Sequence, residues 1–135
     1  NFYAAYKVLE LLGIPDLKNL FQEFINEFAG VAHRLEYVLT FEGLSLYNDA
    51  KSTNTLATTT AIKAFNDVRE DLHLVLGGKL RNESDKVLPD LLPFKGKIKK
   101  IYAIGDVTER LYQELKDDFD VVRAHDLKSL FADLK

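Results

Sequence analysis

Two apolar runs in the second half of the chain limit its fold more than any other feature. They are Leu72-His73-Leu74-Val75-Leu76 and Ile98-Lys99-Lys100-Ile101-Tyr102-Ala103-Ile104. Each stops at glycine, Gly77-Gly78 and Gly105 respectively, and each precedes a stretch of helical period, at about 84–93 and 107–117. A short strand over 119–122 and a last helix over 126–134 continue the alternation. Near-continuous apolar strands alternating with helices indicate a parallel sheet covered on both faces. A length of 135 residues, 47% of them hydrophobic, suffices for one such core.

The first half reads differently. Phe2, Ala5, Tyr6, Leu9 and Leu12 keep a helical period up to Gly13. Pro15 and Asp16 open a second helix with Leu17, Leu20, Phe21, Phe24, Ile25 and Phe28 on one face. From Leu35 the period becomes two: Leu35, Tyr37, Leu39 and Phe41 alternate with Glu36, Val38, Thr40 and Glu42. Glu42-Gly43 then turns the chain into Leu44–Tyr47, as in a β-hairpin. A polar loop leads to a helix at about 54–67, with Ala57, Thr60, Ala61, Ala64 and Phe65 available for its buried side. The fold expected is α/β: a Rossmann-like, doubly wound, mostly parallel sheet with a β-hairpin at one side, preceded by an αα pair. The loops after Tyr47, Leu76 and Ile104 should emerge at one edge.

Several functions find no support. A net charge of −3 with both signs interspersed gives no reason to expect nucleic-acid binding. No apolar run approaches the roughly 20 residues that span a bilayer, so no membrane partner is expected. The absence of cysteine removes disulfides and thiolate metal sites and suits a reducing cytoplasm. His33, His73 and His125 lack metal-site spacing, and no metal site is expected. A chain that starts at Asn1 and has no methionine reads as a piece of a longer protein.

Three segments carry polar chemistry. Asn48-Asp49-Ala50-Lys51-Ser52-Thr53-Asn54 joins a strand to a helix, the place where open α/β sheets bind ligands. It offers a carboxylate, an ammonium, hydroxyls and amides within seven residues. The same loop can equally serve as a cap, with Thr53 or Asn54 at the helix start, Asp49 in an Asx turn and Lys51 solvated. Upstream, Arg34 can donate a fork of hydrogen bonds to phosphate or ribose oxygens, or form a surface ion pair with Glu36 or Glu42. Beside it, His33 alone suits packing better than ligation. The third segment, Gly77-Gly78-Lys79-Leu80-Arg81, allows close backbone approach beside two cations. Neither a G-x-x-x-x-G-K-S/T phosphate loop nor a dinucleotide fingerprint occurs in the chain.

In combination these segments resemble the Mur ligases. Asn1-x-x-Ala4-Ala5 followed by Leu12-Gly13-Ile14-Pro15 is similar to the family's N-x-x-A-A and L-G-I/L-P helix. Phe28-x-Gly30-x-x-His33-Arg34-Leu35-Glu36 resembles F-x-G-x-x-H-R-x-E. Asn48 to Asn54 resembles N-D-S-K-A-T-N of the D-glutamate-adding branch, with the Leu76-Gly77-Gly78 turn following at the family's distance. The resemblance is colinear over nearly the whole chain. It implies a carboxy-terminal domain, 1–135, with a helical lead-in over 1–30 and an α/β body over 31–135. The family's last strand and its S-P-x-x-x-S segment are missing.

The resemblance also implies roles. Asn1 would lie near the adenine of ATP, Asp49 at the ribose and Arg34 towards the phosphates. Lys51 would approach the reacting phosphoryl group as the catalytic cation, and Thr53 would hold the carboxylate of the incoming amino acid. Arg81 stands where the family usually carries a lysine for the amino acid's side-chain carboxylate, a change of reach that bears on selectivity. Ala50 and Ser52 exchange the small residues of the usual loop, and Ala32 replaces a common proline.

The reaction implied for the whole enzyme is amide formation driven by ATP and magnesium. The carboxylate of UDP-N-acetylmuramoyl-L-alanine is phosphorylated, and the amine of D-glutamate attacks the acyl phosphate. Partners would be a central ATPase domain and an amino-terminal UDP-binding domain of the same cytoplasmic chain. The isolated piece would be inactive. Alternatives are a sister Mur ligase, a folylpolyglutamate synthetase domain, or a non-catalytic α/β module binding anions or nucleotides.

Overall fold

In the computed structural model, which describes residues 2–67, 71–79 and 86–133, the chain forms two compact units, Asn1–Ala50 and Lys51–Lys135. The first of these units comprises the two helices and the hairpin.

The first unit begins with α1 (Phe2–Leu11) and α2 (Leu17–Glu27). Between them Gly13 adopts a φ of 67°, the left-handed turn expected of a helix-stopping glycine. Asp16 precedes α2, but its carboxylate bonds the Asn19 side-chain amide rather than capping the backbone. Edge-on contacts of Phe2 with Phe21, Phe24 and Phe28, and of Tyr6 with Phe21, hold the two helices together. Of the apolar face expected on α2, only Leu17 is buried, while Leu20 and Ile25 stay exposed.

The hairpin is β1 (Glu36–Phe41) and β2 (Leu44–Asn48), paired antiparallel. Glu42 and Gly43 both have positive φ, as a two-residue loop with the twist of its strands requires. Strict alternation fails at Val38, where the register slips between the Tyr37–Tyr47 and Leu39–Leu46 pairs. This bulge moves Tyr37 off the face of Leu39 and Phe41 and onto that of Thr40, whose hydroxyl it meets at 3.0 Å.

The second unit holds a three-stranded parallel sheet in the order β3 (Leu72–Gly77), β4 (Ile98–Ile104), β5 (Val121–Arg123). Its helices are α3 (Thr55–Lys63), α4 (Leu88–Leu91), α5 (Thr108–Leu115) and α6 (Leu127–Asp133). Ile101 and Ala103 of β4 pack with Ile62 of α3, Leu91 of α4, and Leu111 and Leu115 of α5. On the opposite face Tyr102 packs with Ala124 and Leu130 of α6. The sheet is thus flanked by helices on both faces, as the two runs predict. β4 is buried on both sides, but β3 alternates, with Leu72, Leu74 and Leu76 half-buried and His73 and Val75 exposed.

Element boundaries depart from the expected ones for local reasons. α3 stops at Lys63 because the amides of Ala64, Phe65 and Asn66 bond three residues back, tightening the last turn. Its buried side is Thr59 and Ile62, and Thr60 and Ala64, expected inside, are exposed. The helix expected over 84–93 is described only from residue 86, and there it is a single α-turn followed by a 3-10 turn, Leu92–Phe94. Pro93 lacks the amide that would carry the α-ladder on. Glu114 of α5 anchors this turn, accepting the Val87 and Leu88 amides at 2.6 and 2.9 Å. Phe119 lies outside the last strand because its amide closes α5 on the Leu115 carbonyl, so β5 begins at Val121.

Asn54 settles which residue caps α3: its side chain accepts the Ala57 amide at 2.8 Å from an extended backbone. Asn54→Ala is therefore expected to destabilise the second unit by about 1 kcal/mol, with Asn54→Ser recovering most of the loss. A lower urea midpoint at unchanged slope measures it, and an unmoved midpoint would show that the cap contributes nothing.

Candidate functional site

The polar segments singled out in the sequence fall in both units. In the first, the chain reaches the hairpin through a corner of unusual backbone. Gly30 has a φ of 92°, and His33 and Leu35 have φ of 62° and 49° on either side of Arg34. Val31 and Arg34 form an isolated bridge, with the Arg34 amide on the Val31 carbonyl at 3.1 Å. The corner is tied to the end of β2 by side chains. Asp49 Oδ1 accepts the Leu35 amide at 3.0 Å, and Asn48 Nδ2 meets His33 Nδ1 at 2.8 Å.

Asp49 is thus bonded, within the first unit, to the backbone of the residue that follows Arg34. Arg34 is exposed, and among the described residues it makes neither of the ion pairs, with Glu36 or Glu42, that would have explained it as a surface charge. Glu36 is engaged instead by the His33 amide at 2.8 Å. His33 is not a packing histidine: it is exposed and bonded to Asn48. Asn48 makes an Asx turn of its own, its Oδ1 accepting the Ala50 amide at 3.1 Å.

In the second unit Lys51 and Thr53 are exposed ahead of α3. With Asn54 as the cap, Thr53 is not needed for the helix start. Asn1 and Arg81 lie outside the described residues. The loops after β3 and β4 emerge at the same edge because their strands are parallel. There a Cβ at Gly77 would lie 2.7 Å from the Ile104 carbonyl oxygen, and one at Gly105 would lie 3.3 Å from the Gly78 carbonyl oxygen. The glycines thus serve the approach of two loops to each other, a role the sequence reading did not foresee.

Nearby, Gly105, Thr108, Arg123, Ala124 and His125 line an open cleft that the motifs did not indicate. Arg123 is matched there by Glu109 at 3.1 Å and covers the Tyr112 ring at 4.1 Å. The Gln113 amide, and after it Arg123, hold the Glu109 carboxyl below its usual range. Among the described residues no three His, Cys, Asp or Glu side chains gather as a metal ion needs, and no helix is long and apolar enough to cross a membrane.

No family model matches the chain. Individual proteins do. Over 131 residues, 97% of the chain, it is 31% identical to a UDP-N-acetylmuramoylalanine–D-glutamate ligase of Rickettsia bellii. It is 34% identical over 92% of its length to the ligase of that name from Acidobacterium capsulatum. A third, from Streptococcus suis, is 36% identical over 94% of the chain. The chain spans about a quarter of the length of these relatives, 27%, 25% and 27% respectively. By this similarity, held over nearly all its residues, the chain belongs to the UDP-N-acetylmuramoylalanine–D-glutamate ligase family of Mur ligases.

Proposed function

We propose that residues 1–135 are the carboxy-terminal domain of an ATP-dependent ligase that adds D-glutamate to UDP-N-acetylmuramoyl-L-alanine in the cytoplasm. The observation that carries this reading is the corner at Arg34 and Asp49. Arg34, which among the described residues pairs with neither Glu36 nor Glu42, directly precedes the residue whose amide Asp49 accepts, in a chain related to ligases of that name. ATP, with magnesium, is the substrate that supplies the phosphoryl group activating the carboxylate. Asp49 binds the ribose and Arg34 the phosphates, with Asn1 at the adenine. Lys51 neutralises charge on the transferring phosphoryl group, where a preorganised cation has its largest effect. Thr53 and Arg81 hold the two carboxylates of D-glutamate and so orient its amine.

In this reading the phosphate-cradling loop and the magnesium ligands lie in a central ATPase domain, and the uridine site in an amino-terminal domain. Catalysis by this chain is then mostly positioning, which requires the other domains. The isolated chain is expected to turn over no ATP above background and to form no amide. Magnesium-dependent turnover by the pure chain, surviving controls for contamination, would place the active site elsewhere. In the full-length enzyme Asp49→Ala should mainly raise the Michaelis constant for ATP, and Thr53→Ala that for D-glutamate. The opposite pattern would reverse these assignments.

A further inference from the structure

We propose that His33 and Asn48 are positioning residues that hold the backbone segment carrying Arg34 at the end of β2, where Asp49 follows; this rests on the reading of Arg34 and Asp49 given above. Arg34 sits between two non-glycine residues in the left-handed region, His33 at φ 62° and Leu35 at φ 49°. L-residues adopt that conformation at a cost in free energy and keep it only where the surroundings impose it. Three side-chain bonds impose it here. Glu36 accepts the His33 amide, Asp49 accepts the Leu35 amide, and Asn48 meets the His33 ring.

The last of these has a defined direction. Asn48 Oδ1 already accepts the Ala50 amide, so its Nδ2 faces the ring and donates. His33 Nδ1 is then the acceptor, and the neutral imidazole carries its proton on Nε2. Asn48 thereby bonds in two directions, forward to the start of the Asp49–Ala50 turn and back to the segment that presents Arg34. Glu36 also lies 3.8 Å from His33 Nδ1, so the carboxylate and the Asn48 amide meet the ring at the same nitrogen. Burial does little to fix residues 31–34, since Val31, Ala32, His33 and Arg34 are all exposed. The hydrogen bonds fix them instead.

The test is steady-state kinetics on the full-length ligase. Asn48→Ala and His33→Gly are each expected to raise the Michaelis constant for ATP about fivefold, the equivalent of one hydrogen bond, with that for D-glutamate unchanged. Glycine accepts the left-handed backbone, so His33→Gly removes the ring without hindering folding. His33→Asn, which tolerates the same backbone and keeps an acceptor near Nδ1, should restore the ATP value. In an Arg34→Ala background His33→Gly should add nothing, because its effect runs through Arg34. A normal Michaelis constant for ATP in folded His33→Gly and Asn48→Ala, alongside a raised one in Arg34→Ala, overturns the positioning role and leaves the site reading intact. Normal values in both Arg34→Ala and Asp49→Ala overturn the site reading itself. Equal rises for both substrates, accompanied by a lower melting temperature, would make the corner merely structural.

Discussion

Lys51→Ala in the full-length ligase is expected to lower turnover at least roughly tenfold, about 1.4 kcal/mol of barrier, while the melting temperature moves by no more than about 2 °C. The two halves of this expectation have separate causes. Lys51 is exposed on the stretch ahead of α3, and the cap of that helix is Asn54, so truncation removes no packing and no helix bond. Surface changes of this kind usually stay within about 0.5 kcal/mol. On the reading proposed here, the ammonium interacts with charge that develops only as the phosphoryl group transfers, so its loss appears in kcat more than in binding. Kinetics and thermal melts on one preparation measure both. Strong destabilisation with normal turnover per folded molecule would show that the loop is only a cap.

Ile101→Ala should have the largest effect on stability, about 2–5 kcal/mol. Ile101 is fully buried on the central strand, among side chains from α3, α4 and α5. Removing three carbons there leaves a cavity that three helices would have to move together to fill. For a domain whose whole stability is about 5–15 kcal/mol, that is a large fraction. Urea titration of the chain should find the transition shifted far towards low denaturant. Val75→Ala, at an exposed position on the edge strand, should shift it far less. A small effect at Ile101 would mean that the three helices do not share one core.

The pattern of burial explains what was legible. The run at 98–104 was readable because an interior strand needs apolar residues on both faces, and the run at 72–76 because an edge strand still needs them on one, both local properties of the sequence. Their glycines were readable as ends, and Glu42-Gly43 as a turn, because positive φ is demanded residue by residue. The site motifs were readable through family resemblance, since spacing alone left Asp49 and Lys51 explicable as a capping loop. The bulge at Val38 was not readable, because the register of a hairpin exposed on most of β1 is set by pairing rather than by a buried face. The buried side of α3 was misjudged because a run of Ala and Thr residues carries almost no amphipathic contrast.

The sequence by itself determined the class of fold, the order of strands and helices in the second half, and the residue types offered for chemistry. These depend on propensity, period and spacing, which act over a few neighbours. Only the tertiary structure decided that Asp49 bonds the Leu35 amide across 14 residues, that Asn48 accepts the Ala50 amide, and that His33 is held by Asn48. An Asp, an Asn and a His can each satisfy themselves locally, with water or at a distance. Which partner wins depends on where the hairpin returns the chain.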